Sequence, residues 1–334
     1  MPEINLLPSE LKRETFVKSE DASDQKSGIR PEERSIQDYI QKGVINLNKP
    51  AGPTSHEVTS WVKKILELEK AGHSGTLDPN VTGLLPVMLG HATKAVDALL
   101  TAGKEYICLM KLHTQVPEKE LKRVFRDFTG EIYQKPSIIS AVKRETRIRN
   151  IYYLELLEAE DKNVLFRVGC EAGTYIRKLC HDMGMAMGTG AHMQELRRSK
   201  SGPFREDETM ITLHDLKDAH VEWKENGSEA MLRKVILPME RAVAHLPKLV
   251  IRDNAVDALC HGAGLAAPGV LTVESDIEKG DLVAIFTQKG EAVSFGVAQM
   301  KTLDILKAAT GIVATTDRVF MEPGTYPKGW KAKE

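Results

Sequence analysis

The string Gly72-His73-Ser74-Gly75-Thr76-Leu77-Asp78-Pro79 packs two glycines, a histidine and a carboxylate into one short turn closed by proline. Loops of this composition hold functional groups in fixed positions. A glycine-rich turn also suits phosphate binding, but the chain contains neither G-x-x-x-x-G-K-[ST] nor G-x-G-x-x-G, which argues against nucleotide cradling. From the residues alone Asp78 reads either as a reactive carboxylate or as a turn or helix-capping residue, since Asp before Pro is common in turns. Two basic stripes follow. One carries Lys135, Lys143, Arg144, Arg147 and Arg149 against Glu145 alone; the other carries Arg197, Arg198, Lys200 and Arg205 with no acid among them up to Arg205. Each is either a solvated face or a set of phosphate contacts. Cys108, Cys170, Cys180 and Cys260 lie far apart with no C-x-x-C pair, so neither a disulfide framework nor a structural zinc site is expected, and the thiols are read as reduced and buried.

The elements that must position these groups follow from periodicity. Val44-Ile45-Asn46-Leu47-Asn48 reads as a strand stopped by Lys49-Pro50-Ala51-Gly52-Pro53, after which Thr54 or Ser55 caps a helix with Val58, Val62, Ile65 and Leu66 on its apolar face. Leu84–Leu89 is a second apolar stretch, and a helix carrying Val96, Leu99 and Leu100 is expected to close at Gly103. Tyr106, Cys108, Met110 and Leu112 alternate as in a half-buried strand, on which Tyr106 reads as an inward aromatic. Leu121, Val124, Phe125 and Phe128 mark an amphipathic helix, and Tyr152–Leu157 with Val164–Val168 a hairpin. A helix is expected from Thr174, ending at Gly188 and Gly190. Arg177, read alone, is a charge on its surface.

The interleaving lacks a strict βαβ rhythm, which points to an α+β fold with a mixed, largely antiparallel sheet. At 334 residues the chain is long enough for two domains, and Leu237-Pro238 and Leu246-Pro247 punctuate a change of texture. Beyond them one helix, Asn254–His261, is followed by short strands at Val270–Val273, Leu282–Thr287 and Val293–Met300, a small β-rich module. Met1–Arg34 is charged and weakly periodic, either a disordered arm or an extension draped over another domain. It lacks the apolar region of a signal peptide, and no run in the chain is long enough to span a bilayer, so the expectation is a cytoplasmic protein with no membrane role. The net charge of −1 says nothing about a nucleic-acid partner.

The motifs, taken together and in order, resemble those of the TruB and dyskerin family of pseudouridine synthases. Gly72–Pro79 is similar to the family's G-[HT]-x-G-x-L-D-P signature and Gly43–Pro50 to its opening strand with the Lys-Pro turn. Lys104-Glu105-Tyr106 resembles the strand bearing the active-site tyrosine, Ser140-Ala141-Val142-Lys143 its S-A-x-K element, and Gly173-Thr174-Tyr175-Ile176-Arg177-Lys178-Leu179 its G-T-Y-I-R-x-L motif. Gly190-Ala191-His192-Met193 to Leu196-Arg197-Arg198 resembles the stretch that follows. The resemblance covers roughly residues 36–322 and implies an N-terminal extension (1–35), a catalytic domain (36–245), a PUA RNA-binding domain (246–324) and a C-terminal tail (325–334).

It also implies chemistry. Pseudouridine formation moves uracil from an N1 to a C5 attachment on C1′, with no net gain or loss of atoms, so no cofactor or metal is expected. An ordinary Asp, with a reference pKa of about 3.9, is ionised at neutral pH and suits attack on, or stabilisation of, electron-poor carbon. By resemblance Asp78 is the nucleophile, Arg177 its partner, and Tyr106 the group that stacks on uracil and handles a proton. His73 falls near the flipped nucleotide and Lys49 among the substrate contacts. Lys143, Arg144, Arg147 and Arg149 form a shortened flap, and Arg197 and Arg198 contact phosphates. The segment between Lys143 and Tyr152 lacks the longer insertion with which bacterial TruB enzymes clasp tRNA unaided. That gap and the PUA-like segment resemble the archaeal counterpart of dyskerin, whose branch takes an H/ACA guide RNA and small accessory proteins to reach rRNA, with direct action on the tRNA T-loop as a rival targeting mode. A rival of another class is an inactive RNA-binding scaffold of such a particle; the intact Asp78, Tyr106 and Arg177 count against it.

Overall fold

The computed structural model describes residues 6–135 and 145–328. A first strand, β1 (Thr15–Val17), and a short helix, α1 (Ile36–Gln41), precede β2 (Gly43–Lys49), α2 (Ser55–Ile65), β3 (Ala71–His73), β4 (Thr82–Leu89), α3 (Val96–Leu100) and β5 (Lys104–Leu112). Next come α4 (Glu118–Asp127), β6 (Gly130–Gln134), β7 (Arg147–Glu160), β8 (Asn163–Cys170), α5 (Ile176–Ala186) and β9 (Ala191–Ser201). β10 (Phe204–Arg205), β11 (Met210–Ile211), α6 (Leu213–Asn226), α7 (Ala230–Val235) and β12 (Leu237–Pro238) lead to β13 (Lys248–Ile251), α8 (Asp253–Cys260) and β14 (Leu265–Ala266). β15 (Val270–Glu274), β16 (Leu282–Thr287), β17 (Ala292–Ala298), α9 (Thr302–Lys307) and β18 (Ile312–Val319) complete the order.

Among the described residues these strands make two sheets. The larger runs β11-β2-β4-β9-β5-β8-β7-β6, with β3, β10 and β12 attached to its flanks, and the smaller runs β1-β15-β13-β16-β17-β18-β14. Parallel pairing occurs at β2–β11, β4–β9 and β13–β16, and the other pairs are antiparallel. The mixed, largely antiparallel α+β class is the fold observed. Local chemistry sets the elements. Thr54 and Glu57 form a reciprocal capping box that starts α2, whose Val58 and Val62 are buried against the sheet. No helix among the described residues is long and apolar enough to cross a membrane.

Three local expectations change. The helix after Gly173 starts at Ile176, not Thr174: Tyr175 is its extended N-cap, whose N–H donates to the Gln134 side chain (2.9 Å) while its carbonyl accepts from Leu179 N (3.0 Å) and from Gln134 Nε2 (3.1 Å). Gly103 does not close α3, which ends at Leu100. Instead a Cβ there would sit 3.2 Å from the Tyr152 ring and 3.4 Å from Leu7, so glycine permits the N-terminal segment to lie close. β13, α9 and β18 arise where no element was anticipated.

The N-terminal segment drapes over the smaller sheet. β1 adds to its edge by pairing with β15. Lys18 Nζ donates to the carbonyls of Ile305 (2.7 Å) and Ala308 (2.6 Å) at the end of α9, where cations suit the exposed carbonyls. Asp253 accepts from Asp24 N at 2.7 Å, and the Arg34 guanidinium meets Glu240 in a buried pair. One apolar cluster draws Val44, Leu84 and Met88 from the larger sheet together with Phe286 and Phe295 from the smaller and Phe320 just after β18.

His245 sits at this junction. It is buried, its Nε2 donates to the Ala98 carbonyl at 3.1 Å, and its own carbonyl accepts from Arg13. Burial pushes its pKa down to about 4 from 6.5. The unfolded chain therefore takes up a proton that the folded chain refuses. Stability from the neutral imidazole is complete above pH 6.5 and is lost as pH falls toward 4, by up to about 3 kcal/mol. Denaturation of the parent and of His245→Gln across this range should give a shallower pH dependence in the variant. Equal slopes would show that the imidazole is not the group responsible.

Candidate active site

The carboxylate loop is tied down from three sides before its side chain does anything. Lys49, the last residue of β2, is fully buried, and its Nζ donates to the carbonyls of Pro50 (2.9 Å), Pro79 (2.8 Å) and Val81 (2.9 Å). Ser55, at the start of α2, accepts from Leu77 N (2.9 Å) and donates to Leu77 O (3.2 Å). Arg198 reaches under the loop to the Gly75 carbonyl at 3.3 Å, and Gly75 itself takes the left-handed φ of +92° that suits glycine. The backbone of Asp78 is thus fixed, with its carbonyl accepting from Val81 N at 3.0 Å.

The Asp78 side chain points outward and takes no capping role among the described residues. Its Oδ2 accepts from Arg177 Nη2 at 2.5 Å, across 99 positions of sequence. The two side chains are 56% and 68% exposed, so the pair adds little to stability and its value is orientation of the carboxylate. Arg177 is the second residue of α5, whose start is fixed by Gln134 and by Gly173 at φ +80°, with Arg149 packed against it. Asp78 and Arg177 line a cleft of about 520 Å³ with Asn80, Met193, Gln194 and Leu196. Gln194 is the extra residue where β9 slips register against β5, since Leu109 faces Glu195 and Met110 faces Met193. Bulges of this kind re-aim side chains at functional sites.

Tyr106 is half-buried on β5, directly across from Arg198 on β9. Burial raises its phenol pKa and the Arg198 cation opposes the rise, with Asp78 a more distant charge. His73, on β3, is half-buried with its ring edge-on to His56 at 5.0 Å. Burial first, and the charges of His56 and Arg198 second, push it down to about 4, so at neutral pH it offers an uncharged aromatic face.

Two of the expected RNA contacts are corrected. Lys49 and Arg198 lie inside the protein, not on its surface, and donate to backbone carbonyls there, so neither is placed to meet a phosphate. Arg197 is half-buried and pairs with Glu206 at 2.6 Å. Arg149 donates to the Ile148 carbonyl (2.8 Å) and approaches Glu171 (3.4 Å). Arg147 is half-buried on β7 across from Gln134. Lys143 and Arg144, with the Ser140–Lys143 element, lie outside the described residues.

Sequence reasoning missed Ser55, Gln134 and the surroundings of Lys104, whose buried Nζ donates to the carbonyls of Leu99, Leu100 and Ala102 at the end of α3. It also missed Glu105, which accepts from Tyr153 Oη (2.6 Å) and Ser199 Oγ (2.7 Å) directly behind Tyr106. A charge next to a strand aromatic was the only available signal, and it does not distinguish an inward from an outward carboxylate.

Residues 63–176 match the TruB family pseudouridylate synthase N-terminal domain, and residues 177–244 the tRNA pseudouridylate synthase B C-terminal domain. Residues 247–320 match the PUA domain and residues 5–59 the DKCLD domain. A probable tRNA pseudouridine synthase B of Methanosarcina barkeri is 60% identical over 98% of this chain and 97% of its own length. That of Pyrococcus furiosus is 56% identical, with the same two shares. Among solved structures, a chain of a Cbf5-Nop10-Gar1 complex superposes with a TM-score of 0.93 at 56% identity, covering 97% of this chain and 99% of that one. A chain of an H/ACA RNP bound to a substrate RNA containing 2′-deoxyuridine gives 0.91 at 54% identity, with shares of 97% and 100%.

Proposed function

Because this chain belongs to the TruB family of pseudouridylate synthases, we propose that Asp78 is the carboxylate that engages the target uridine, with Arg177 orienting it and Tyr106 beneath the base. The chain is a pseudouridine synthase, an intramolecular transferase acting on RNA. The N1–C1′ bond breaks, the base turns, and a C5–C1′ bond forms; C5 gives up a proton and N1 takes one. Nothing is oxidised or reduced, and the balance calls for no cofactor. The observation that carries the residue assignment is the Arg177–Asp78 contact at the mouth of the cleft, a guanidinium holding a carboxylate in place where a flipped nucleotide can reach it.

Tyr106 stacks on uracil and is within the chemistry's reach to move a proton. His73 supplies a neutral aromatic near the extruded nucleotide. Arg147 and Arg149, on β7, face the RNA backbone. Catalytic residues 36–245 and a PUA module of 246–324 divide the work, chemistry in the first and RNA binding in the second.

The target is RNA chosen by a guide RNA of the H/ACA type, with small accessory proteins completing the particle and direct action on the tRNA T-loop as the rival targeting mode. Support comes from the solved complexes of similar chains with Nop10, Gar1 and substrate RNA, and from relatives named for tRNA. A cytoplasmic location goes with this reading and is supported by four free, buried cysteines. The test is pseudouridine release from labelled RNA by the purified chain, comparing an unguided tRNA T-loop with a target supplied with guide and accessory proteins. Activity only with the guide establishes the particle mode, and activity on tRNA alone establishes the direct one. No product in either, from folded protein, would leave an RNA-binding scaffold.

A further inference from the structure

Arg198 belongs to a basic stripe yet is 1% exposed, and its guanidinium is committed to the interior. Nε donates to the Leu84 carbonyl at 2.7 Å, and Nη1 and Nη2 to the Gly75 carbonyl at 3.3 Å. Among the described residues no carboxylate shares in its charge; the groups around it include the Tyr106 phenol and the buried Lys49 and Lys104 ammoniums. Stripping a cation of water without giving it an anion is costly, so such a group needs a reason to be kept. Its backbone is held as closely as its side chain. β9 runs parallel to β4 at this point, with Arg198 opposite Gly83, and a Cβ on Gly83 (φ +97°) would lie 2.3 Å from the Arg198 carbonyl.

The same residue is the cross-strand partner of Tyr106 on the other side, next to a register slip between Glu105 and Tyr106. Arg198 therefore stands between the two parts of the site. One end grips the loop three residues before Asp78, and its strand position lies against the tyrosine. We propose that Arg198 is a positioning residue for the isomerisation: it fixes the spacing between the Asp78 loop and Tyr106, and it holds a permanent positive charge beneath the reacting base. This rests on the reading that Asp78 and Tyr106 act on the uracil. Breaking N1–C1′ leaves the bonding pair on the departing base, and a fixed cation in dry surroundings favours that charge without reorganising during the reaction. A phosphate contact would need the opposite placement, on the surface and free to move.

The experiment is a single-turnover assay on the full chain at saturating RNA, with RNA affinity measured in parallel. Arg198→Met is expected to slow the chemical step by about 100-fold while leaving RNA affinity within about twofold, and Arg198→Lys, which restores the charge, to recover about tenfold of that rate. In a Tyr106→Phe background the Arg198→Met loss should shrink, because the two residues act as a unit. If Arg198→Met does not fold, Arg198→Lys carries the same cycle with Tyr106→Phe. The proposal is overturned if the variants weaken RNA binding with an unchanged saturated rate, or if Lys recovers nothing and the losses add independently. An Asp78→Asn chain that still turns over would remove the nucleophile assignment instead, leaving the Arg198–Tyr106 coupling to be read separately.

Discussion

Asp78→Asn is expected to cut pseudouridine formation by about 10⁴-fold or more while RNA affinity stays within about twofold of the parent. Asparagine has nearly the same shape and can still accept from Arg177, but it carries no charge to stabilise or attack electron-poor carbon. The fold should not notice the change. The side chain is 56% exposed, its pairing with Arg177 takes place in solvent, and such pairs contribute roughly 0–1 kcal/mol. The loop is held by Lys49, Ser55 and Arg198, none of which touches the carboxylate. The measurement is single-turnover product release with a thermal-unfolding control. Retained turnover in the folded variant would sink the assignment and shift the chemistry to another residue of the cleft. Loss of RNA binding together with turnover would mean that the carboxylate organises the binding surface.

How much of this was legible beforehand varies with the kind of interaction. The strands over Leu282–Thr287 and around Tyr106, and the helix beginning after Thr54, were readable because apolar periodicity and caps are local properties. The meeting of Asp78 with Arg177 across 99 positions came from motif resemblance; no local rule reaches that far. What could not be read was the fate of single cations. Lysine and arginine default to the surface, and the partners that draw Lys49 and Arg198 inside are backbone carbonyls, which every residue has and no sequence displays. The N-terminal segment was ambiguous for the same reason: Lys18 and Arg34 look like solvated charges until the end of α9 and Glu240 are put beside them. β13 and β18 escaped notice because one is four residues long with a parallel partner, and the other mixes Thr, Asp and Arg into its apolar run.

Arg34→Met should be the most damaging change outside the catalytic cleft. The guanidinium and the Glu240 carboxylate are 7% and 10% exposed and meet through two bonds, of 3.0 and 2.6 Å. The same Glu240 Oε1 accepts from Ala292 N on β17 at 3.1 Å. One carboxylate therefore ties the N-terminal segment, the turn after β12 and the smaller sheet. Methionine fills much of the volume but leaves a buried negative charge with a single backbone donor, and orphaning one partner of such a pair costs about 3–5 kcal/mol. Removing both charges, as Arg34→Met with Glu240→Gln, should cost less, because the amide carbonyl still accepts from Ala292 and no ion is left stranded. Thermal unfolding read by one probe in each sheet separates the possibilities. The single variant is expected to fall well below the double variant. A single variant within about 1 kcal/mol of the parent would mean that water enters and solvates Glu240, and that the pair is a surface feature of low worth. If the pair does hold the two sheets together, the smaller sheet should lose its N-terminal strand first, because β1 is an edge strand paired with β15 and depends on the segment that Arg34 anchors.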